Sequence, residues 1–399
     1  MKHLPVRSAY LVGAAVVAGL AVLILALRFG PAATLSLSLA FPATEAALAA
    51  VFPDPVREEI ILGTDNRRIP ADLYRPVKPR AALLLVHGLS RAGRRHAEIV
   101  RLAHLFARHG ELVLVPEFAG LVAFRLSGTE IDEIRVALRY LTGLSASVGI
   151  VGFSFGAGPA LLVASEFPGI RLVGSFGGYA DLENVITYIT TGVHTLGGRR
   201  YTQRQEEYNR WKLLALLVGF VESERDRGLL GAIAERKLEN PAIETGEVAA
   251  KLGREGRAVL SLVLNREQGA VATLLADLSP RARQALASLS PLAVVPRLRG
   301  RLLIAHGAAD DSIPFTESLR LAESAGGRAQ LAILHTFHHT GPQPFWQSLR
   351  ALVEDVWSLL RLADALLRID QQVGTRAGRA WGIDALIFST ARDTTRPLG

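Results

Sequence analysis

Ser154 stands in Gly152-Phe153-Ser154-Phe155-Gly156, directly after the apolar-rich run Val148 to Val151 and just before a small-residue helix start. This reads as a buried strand, a very tight turn with a serine at its tip, and a helix, the context in which G-x-S-x-G presents a nucleophile. Such a turn strains the serine backbone, so the residues two before and two after it must be nearly free of side chain. It also lifts the hydroxyl above the sheet and aims the first helical N–H groups at the same spot. Alone, the pattern is weak evidence, because Gly and Ser frequencies produce it in roughly one chain in ten of this length. Its weight depends on partners elsewhere.

A serine hydroxyl attacks well only when a base takes its proton and a carboxylate orients that base. In a parallel α/β sheet these groups gather at the carboxyl ends of strands. After the apolar run 301–306 comes Gly307-Ala308-Ala309-Asp310-Asp311-Ser312-Ile313-Pro314, and after 330–334 comes His335-Thr336-Phe337-His338-His339-Thr340-Gly341. The chain order is thus Ser, Asp, His. Asp310 and Asp311 compete for the acid, and spacing alone cannot separate His338 from His339 as the base. His335 is too close to the strand and reads as structural, and His306 reads as core. The remaining histidines (3, 96, 104, 109 and 194) show no metal-ligand spacing and the chain has no cysteine, so no metal is expected.

The elements that must position these residues follow an α/β rhythm. Runs 59–62 and 69–74, split by Gly63-Thr64-Asp65-Asn66, suggest a hairpin over 58–75. Residues 81–86 form a continuous apolar run ending in His87-Gly88, as a strand buried on both faces does. Helical spacing over 94–109, a strand at 111–116, and a helix from Ser127 to Leu141 with a Ser127/Glu130 capping box follow. After the Ser154 unit comes a short strand at 170–176. This alternation predicts a mostly parallel sheet. It stops near 182. Residues 182–287 are helix-like, with few strand signals, and include the apolar stretch Trp211 to Val221, too short to span a bilayer. That stretch fits one buried helix of a cap, or a lid surface that touches lipid or acyl chains. The rhythm resumes at 301–307 and 330–334, and 345–368 reads as a long amphipathic helix.

Taken together, these motifs resemble the α/β-hydrolase fold serine hydrolases, over roughly 58–181 and 288–365. His87-Gly88 resembles the family's oxyanion-loop motif, GFSFG its nucleophile elbow, and HGAADDSIP its acid-bearing loop. The resemblance implies an α/β-hydrolase fold, a mostly parallel central sheet flanked by helices with a helical cap insertion after the sixth strand. It implies Ser154 as nucleophile and Asp310, four residues before the proline, as the acid. Asp181 is a distant alternative because some relatives place the acid there. The family's offset from the last strand favours His339 as base, while His87 serves packing and hydrogen bonding. Backbone N–H groups of Leu89 and Phe155 would form the oxyanion hole. No cofactor is implied. The activity implied is hydrolysis of a carboxylic ester or related acyl bond through an acyl-enzyme. An acyltransferase or peptidase would use the same residues, and a non-catalytic membrane-tethered binding module is the reading of another class. The segment IPADLYRP resembles dienelactone-hydrolase-like and prolyl-oligopeptidase-like members.

The chain has 399 residues, 49% of them hydrophobic, enough for a large core in one large or two modest domains. A net charge of +8 could suit nucleic acid or anionic lipid. The arginines are scattered through amphipathic segments with no basic-aromatic stripe, so no nucleic-acid partner is expected. Residues 9–27 carry no charge and no proline, and nineteen residues rise about 28 Å as a helix, close to the hydrocarbon thickness. The run is longer than the hydrophobic region of a cleaved signal. An uncleaved N-terminal transmembrane helix is therefore favoured over cleavage near Ser38-Leu39-Ala40. Lys2, Arg7 and Arg28 flank it, and no Lys or Arg follows until Arg57. That bias puts the N-terminus in the cytoplasm and the hydrolase domain on the outer, periplasmic or extracellular, side. The expected organisation is a signal-anchor at 1–28 and a linker or juxtamembrane segment at 29–57. Core segments at 58–181 and 288–370 would enclose the cap at 182–287, with a C-terminal extension, partly disordered, at 371–399. The expected partners are a small-molecule or lipid-like acyl substrate and the membrane.

Overall fold

The computed structural model describes residues 28–46, 52–64, 67–335, 337–338, 341–342 and 349–371, together with 19, 20 and 26. The anchor expected at 9–27 and the extension after 371 lie almost wholly outside the described residues. Among the described residues no helix is long and apolar enough to cross a membrane.

Eight strands form one sheet in the order β1-β2-β4-β3-β5-β6-β9-β10. β1 (Val56–Thr64) and β2 (Arg67–Arg75) make the expected hairpin, and β2 joins β4 (Glu111–Pro116) antiparallel. From β4 onward every neighbour is parallel: β3 (Ala81–Val86), β5 (Val148–Phe153), β6 (Leu172–Phe176), β9 (Arg301–Gly307) and β10 (Ala329–Leu334). All six residues of β3 and of β4 are buried, which is why β3 and, after Glu111, β4 are unbroken apolar runs rather than alternating ones. β3 pairs with β4 on one side and β5 on the other, so chain direction across the sheet reverses between β3 and β5. Such a switch point opens a crevice at the carboxyl ends of the strands.

Helices cover both faces. One core cluster joins the sheet to a helix over residues 28–40 (α1), to α2 (Ala97–Arg108), and to the C-terminal helix, here α11 (Leu349–Leu366). On the other face lie α3 (Thr129–Leu144), α4 (Ala157–Ala164) and the segment between β6 and β9. That segment comprises α5 (Leu182–Thr191), the hairpin β7 (Val193–Leu196) and β8 (Arg199–Thr202), α6 (Glu207–Val218), α7 (Glu224–Glu239), α8 (Arg254–Leu264) and α9 (Pro280–Ser288). The chain then returns through β9 to α10 (Phe315–Ser324) and β10.

One difference from the sequence reading has a clear cause. The inserted segment contains a hairpin where few strand signals stood out. Its two-residue loop is Gly197-Gly198, at φ +54° and +75°, the positive-φ pair that a type I′ turn requires. The stretch Trp211 to Val221 buries all but Lys212 and Gly219, so its apolar side chains serve the core and offer no lipid-facing surface. Within the segment expected as a linker or juxtamembrane stretch, residues 28–40 form a helix packed on the domain.

Candidate active site

β5 ends at Phe153, and Ser154 opens a single 3-10 turn (Ser154–Gly156) that feeds α4. Ser154 has φ +51°. Only Phe124 shares a positive φ among described non-glycine residues, and such a backbone costs on the order of 1–3 kcal/mol unless its surroundings enforce it. Here they do. A Cβ at Gly156 would lie 2.2 Å from the His87 carbonyl oxygen, and one at Gly152 would lie 2.5 Å from Ala157 Cα. The segment after β3 presses on the serine directly, since a Cβ at Gly88 would meet Ser154 Cβ at 2.8 Å. Leu89 is the next residue in that segment and Phe155 the next after Ser154, so one expected oxyanion amide adjoins the candidate nucleophile in the chain and the other belongs to the segment pressed against it.

His87 is buried and has the structural role expected. Its Nδ1–H donates to the Gly88 carbonyl at 2.8 Å, and its Nε2 accepts from the Phe118 N–H at 3.2 Å. Burial pushes its pKa down to about 4, so it stays neutral and ties the end of β3 to the loop after β4.

The acid loop follows β9, two ladder spacings or about 10 Å from β5, near enough for one imidazole to bridge the side chains. Asp310 is 2% exposed. Its Oδ1 accepts from the N–H groups of Ser312 at 2.8 Å and Ile313 at 2.9 Å, and its Oδ2 lies 3.5 Å from His306 Nε2. His306 braces the loop, donating from Nε2 to the Ile313 carbonyl at 2.9 Å and accepting at Nδ1 from the Ser318 hydroxyl at 2.7 Å. Asp311 is only partly buried, and its Oδ1 accepts from the Ser312 hydroxyl at 3.3 Å. Asp181 caps α5, accepting from the Glu183 N–H at 2.7 Å.

His339 lies outside the described residues. Around it, residues 337–338 and 341–342 pair antiparallel, His338 opposite Gly341. His335 is tied to α11: its N–H donates to Asp355 Oδ1 at 3.1 Å, and the same carboxylate raises the pKa of its ring.

The inserted segment supplies residues that the sequence reading missed. The Tyr188 hydroxyl donates to the Asp310 carbonyl at 2.7 Å, Gln203 Nε2 to the Ala309 carbonyl at 3.1 Å, and Asn209 Nδ2 to the Asp311 carbonyl at 3.0 Å. Asn209 Oδ1 also accepts from the Ser312 hydroxyl at 3.1 Å, and Lys212 Nζ reaches that hydroxyl at 3.4 Å. Three consecutive carbonyls of the acid loop are therefore held by α5, α6 and the link after β8. Burial lowers the Lys212 pKa, while the charges of Asp311 and Asp310 act the other way. One signal was available in the sequence: Asn209 and Lys212 sit three apart on α6, on one side of a helix that is otherwise almost wholly apolar after Arg210.

Neither a family model nor a curated protein matches the sequence. Solved structures of similar architecture exist. The esterase domain of a Rhodothermus marinus protein aligns at 17% identity with a TM-score of 0.41, covering 77% of this chain and 98% of that one. A 2,6-dihydroxy-pseudo-oxynicotine hydrolase aligns at 17% identity with a TM-score of 0.45, covering 79% and 68%. The Pyrococcus horikoshii acylaminoacyl peptidase aligns at 11% identity with a TM-score of 0.48, covering 86% of this chain but 46% of that one, so the chain spans about half the peptidase. At these identities the likeness is one of architecture, and the chemistry is argued from this chain's own residues.

Proposed function

We propose that the chain is a serine hydrolase that cleaves a carboxylic ester through an acyl-enzyme. The observation that carries this reading is the strained backbone of Ser154 at φ +51°, enforced by close approaches that exclude any side chain at Gly152 and Gly156. A scaffold has no use for that strain, whereas a nucleophile does. In the reaction His339 takes the Ser154 proton as Oγ attacks the ester carbonyl. The tetrahedral oxyanion is held by the Leu89 and Phe155 amides, each worth a few kcal/mol in such sites. Asp310 keeps the His339 ring in the productive tautomer. His339 then protonates the departing alcohol, and water, activated by the same ring, releases the acid. The steps need no metal or cofactor. The proposal includes an anchor at residues 9–27, N-terminus in the cytoplasm and the domain on the outer side.

A fluorophosphonate probe tests the chemistry. Wild type should be labelled at Ser154 and the Ser154→Ala variant should not; a folded wild type left unlabelled would overturn the reading. Hydrolysis of p-nitrophenyl esters should vanish in His339→Ala and persist in His338→Ala, and the reverse result reassigns the base. Membrane fractionation of the full chain tests the anchor, which a soluble and unprocessed protein would refute.

A further inference from the structure

We propose that the exposed face of α11 rests on the lipid bilayer beside the root of the apolar segment 9–27, so that the domain lies on its side against the membrane. This rests on the anchor reading above and adds a second membrane contact to it. The argument starts from α1, which is fixed to the domain. Ala32 and Leu35 are buried in the cluster shared with α2 and α11, and the Thr34 hydroxyl bonds His109 Nε2 at 3.0 Å. At the first turn of α1 the Arg28 guanidinium pairs with Asp364 on α11 (Nη2 to Oδ2, 3.1 Å) and lies 4.5 Å above the Phe29 ring. The Arg28 carbonyl accepts from Arg368 at 3.3 Å. The first residue after the uncharged run is thus locked to α11. A membrane segment ending at residue 27 brings α11 to the headgroup layer with it.

α11 carries what that layer selects. Val353 is 67% exposed and Trp357 59%, with Val356 exposed between them. Val353, Trp357 and Arg361 follow at four-residue spacing and continue to Leu360 and Asp364, so they form one stripe. At 1.5 Å per residue the stripe from 353 to 364 is about 17 Å long. At its lower end Trp357, Leu360, Arg361 and Phe29 line a cavity of about 160 Å³ with Arg301. Tryptophan at headgroup level, aliphatic side chains just below it and arginine on the phosphates is the composition of an interfacial contact. The net charge of +8 favours anionic lipid. A second copy of the chain, or residues 372–399, could also cover an apolar stripe. Lipid is favoured because the stripe is continuous with Phe29, at the root of the apolar segment.

The direction of α11 gives the contact a functional consequence. Asp355 meets the His335 N–H just past the carboxyl end of β10, and the Ala365 carbonyl accepts from Arg301 at the amino end of β9 at 3.4 Å. The stripe therefore runs the height of the sheet, up to the edge that carries the candidate catalytic loop. An ester presented by the bilayer would reach that loop without crossing bulk water.

The chain has no cysteine, so Val353→Cys gives one site for an NBD label on the full-length protein. Ile61→Cys is the control, on β1 at the opposite edge of the sheet and 51% exposed. In vesicles of phosphatidylcholine and phosphatidylglycerol, doxyl lipids should quench the Val353 label severalfold more than the Ile61 label, and the Val353 emission should shift to the blue. A Val353 label open to aqueous iodide and untouched by doxyl lipid overturns the proposal while leaving the anchor intact. Shielding from both quenchers also overturns it, in favour of a second copy or residues 372–399. A full chain absent from the vesicle fraction overturns the anchor and the lipid-bound face together.

Discussion

At the β5 end of the site Ser154 is fixed by backbone against backbone, through the close approach of Gly156 to the His87 carbonyl and of Gly88 to the serine itself. At the β9 end the loop that carries Asp310 is held through its carbonyls by three side chains of the segment inserted between β6 and β9, while the Asp310 carboxylate itself accepts from two N–H groups of the loop. The first arrangement is local and steric, so it fails abruptly when one atom is added. The second is distributed over several hydrogen bonds, each worth about 0.5–1.5 kcal/mol net, so it loosens by degrees. It also makes the alignment of Asp310, the proposed acid, depend on how the inserted segment is seated.

The largest effect should come from breaking the steric side. Gly156→Ala places a methyl group within 2.2 Å of a carbonyl oxygen on a neighbouring strand end, where nothing flexible can yield. Overpacking of this kind costs about 1–3 kcal/mol. Ester hydrolysis should fall at least about a hundredfold, since an ångström of misplacement at the reacting atom costs that much. Near-normal turnover in a folded Gly156→Ala protein, checked by circular dichroism, would show that the elbow tolerates movement and would dissolve the contrast.

The distributed side should give a graded loss. Asn209→Ala removes the donor to the Asp311 carbonyl and the acceptor for Ser312 at once. Losing buried partners on this scale costs about 1–3 kcal/mol of stability. We expect kcat for a p-nitrophenyl ester to fall about tenfold, equivalent to some 1.4 kcal/mol, with KM unchanged, because the residue touches the loop and no substrate. Tyr188→Phe, which loses one bond to the Asp310 carbonyl, should give a smaller drop of the same kind. A collapse as complete as that of Gly156→Ala would mean the acid loop is as unforgiving as the elbow.

The same contrast explains what the sequence could reveal. GFSFG and the HG pair are short because the constraint they satisfy is short: two or three residues decide whether the turn closes, and their type is forced. The strands β3, β4 and β9 were equally readable, because burial on both faces leaves an unbroken apolar run. Asp310 was reached through resemblance; the structure buries it and gives its carboxylate two N–H donors. Gln203 and Asn209 were not reached. Each lies about a hundred residues from the carbonyl it holds; Asn209 showed only as a polar position beside Lys212 on an otherwise apolar helix face, and Gln203 showed no pattern that points to a distant acceptor. The Gly197-Gly198 loop was present in the sequence as a hairpin signal, overshadowed by helical periodicity on both sides.

Acidity separates the two ends as well. Stability rises with pH wherever the unfolded chain binds more protons than the native one. His87, on the serine side, has its ordinary value near 6.5 when unfolded and about 4 when buried, so between those values the unfolded chain holds the extra proton. Stability should fall on acidification through that window. Glu317, whose Oε2 accepts from the Ala180 and Asp181 N–H groups at the entrance to the inserted segment, is pushed by burial from 4.5 to about 7. There the native state holds the extra proton, and stability falls as pH rises from about 4.5 to 7. Urea midpoints measured across this range should rise more steeply with pH in Glu317→Gln than in wild type, and less steeply in His87→Gln. Equal slopes in all three would deny both shifts.

The smallest predicted effect concerns Lys212, the only cation that the inserted segment brings to Ser312 among the described residues. Its charge interacts with those of Asp311 and Asp310 and would oppose any further positive charge held by the same carboxylates. In the proposed mechanism, the imidazolium formed when His339 takes the serine proton would be such a charge. Lys212→Met keeps the length and the apolar stem but deletes the charge, so the base should hold its proton more tightly. The acid limb of kcat/KM should then move upward by about a few tenths of a pH unit, the size expected of a partly screened charge. Stability should change little, because the amine makes one long hydrogen bond and a cation–π contact with the exposed Tyr208 ring. A limb that moves downward would place the lysine's influence on the carboxylates ahead of its repulsion of the imidazolium. An unmoved limb would mean that the inserted segment acts on the acid loop through position alone.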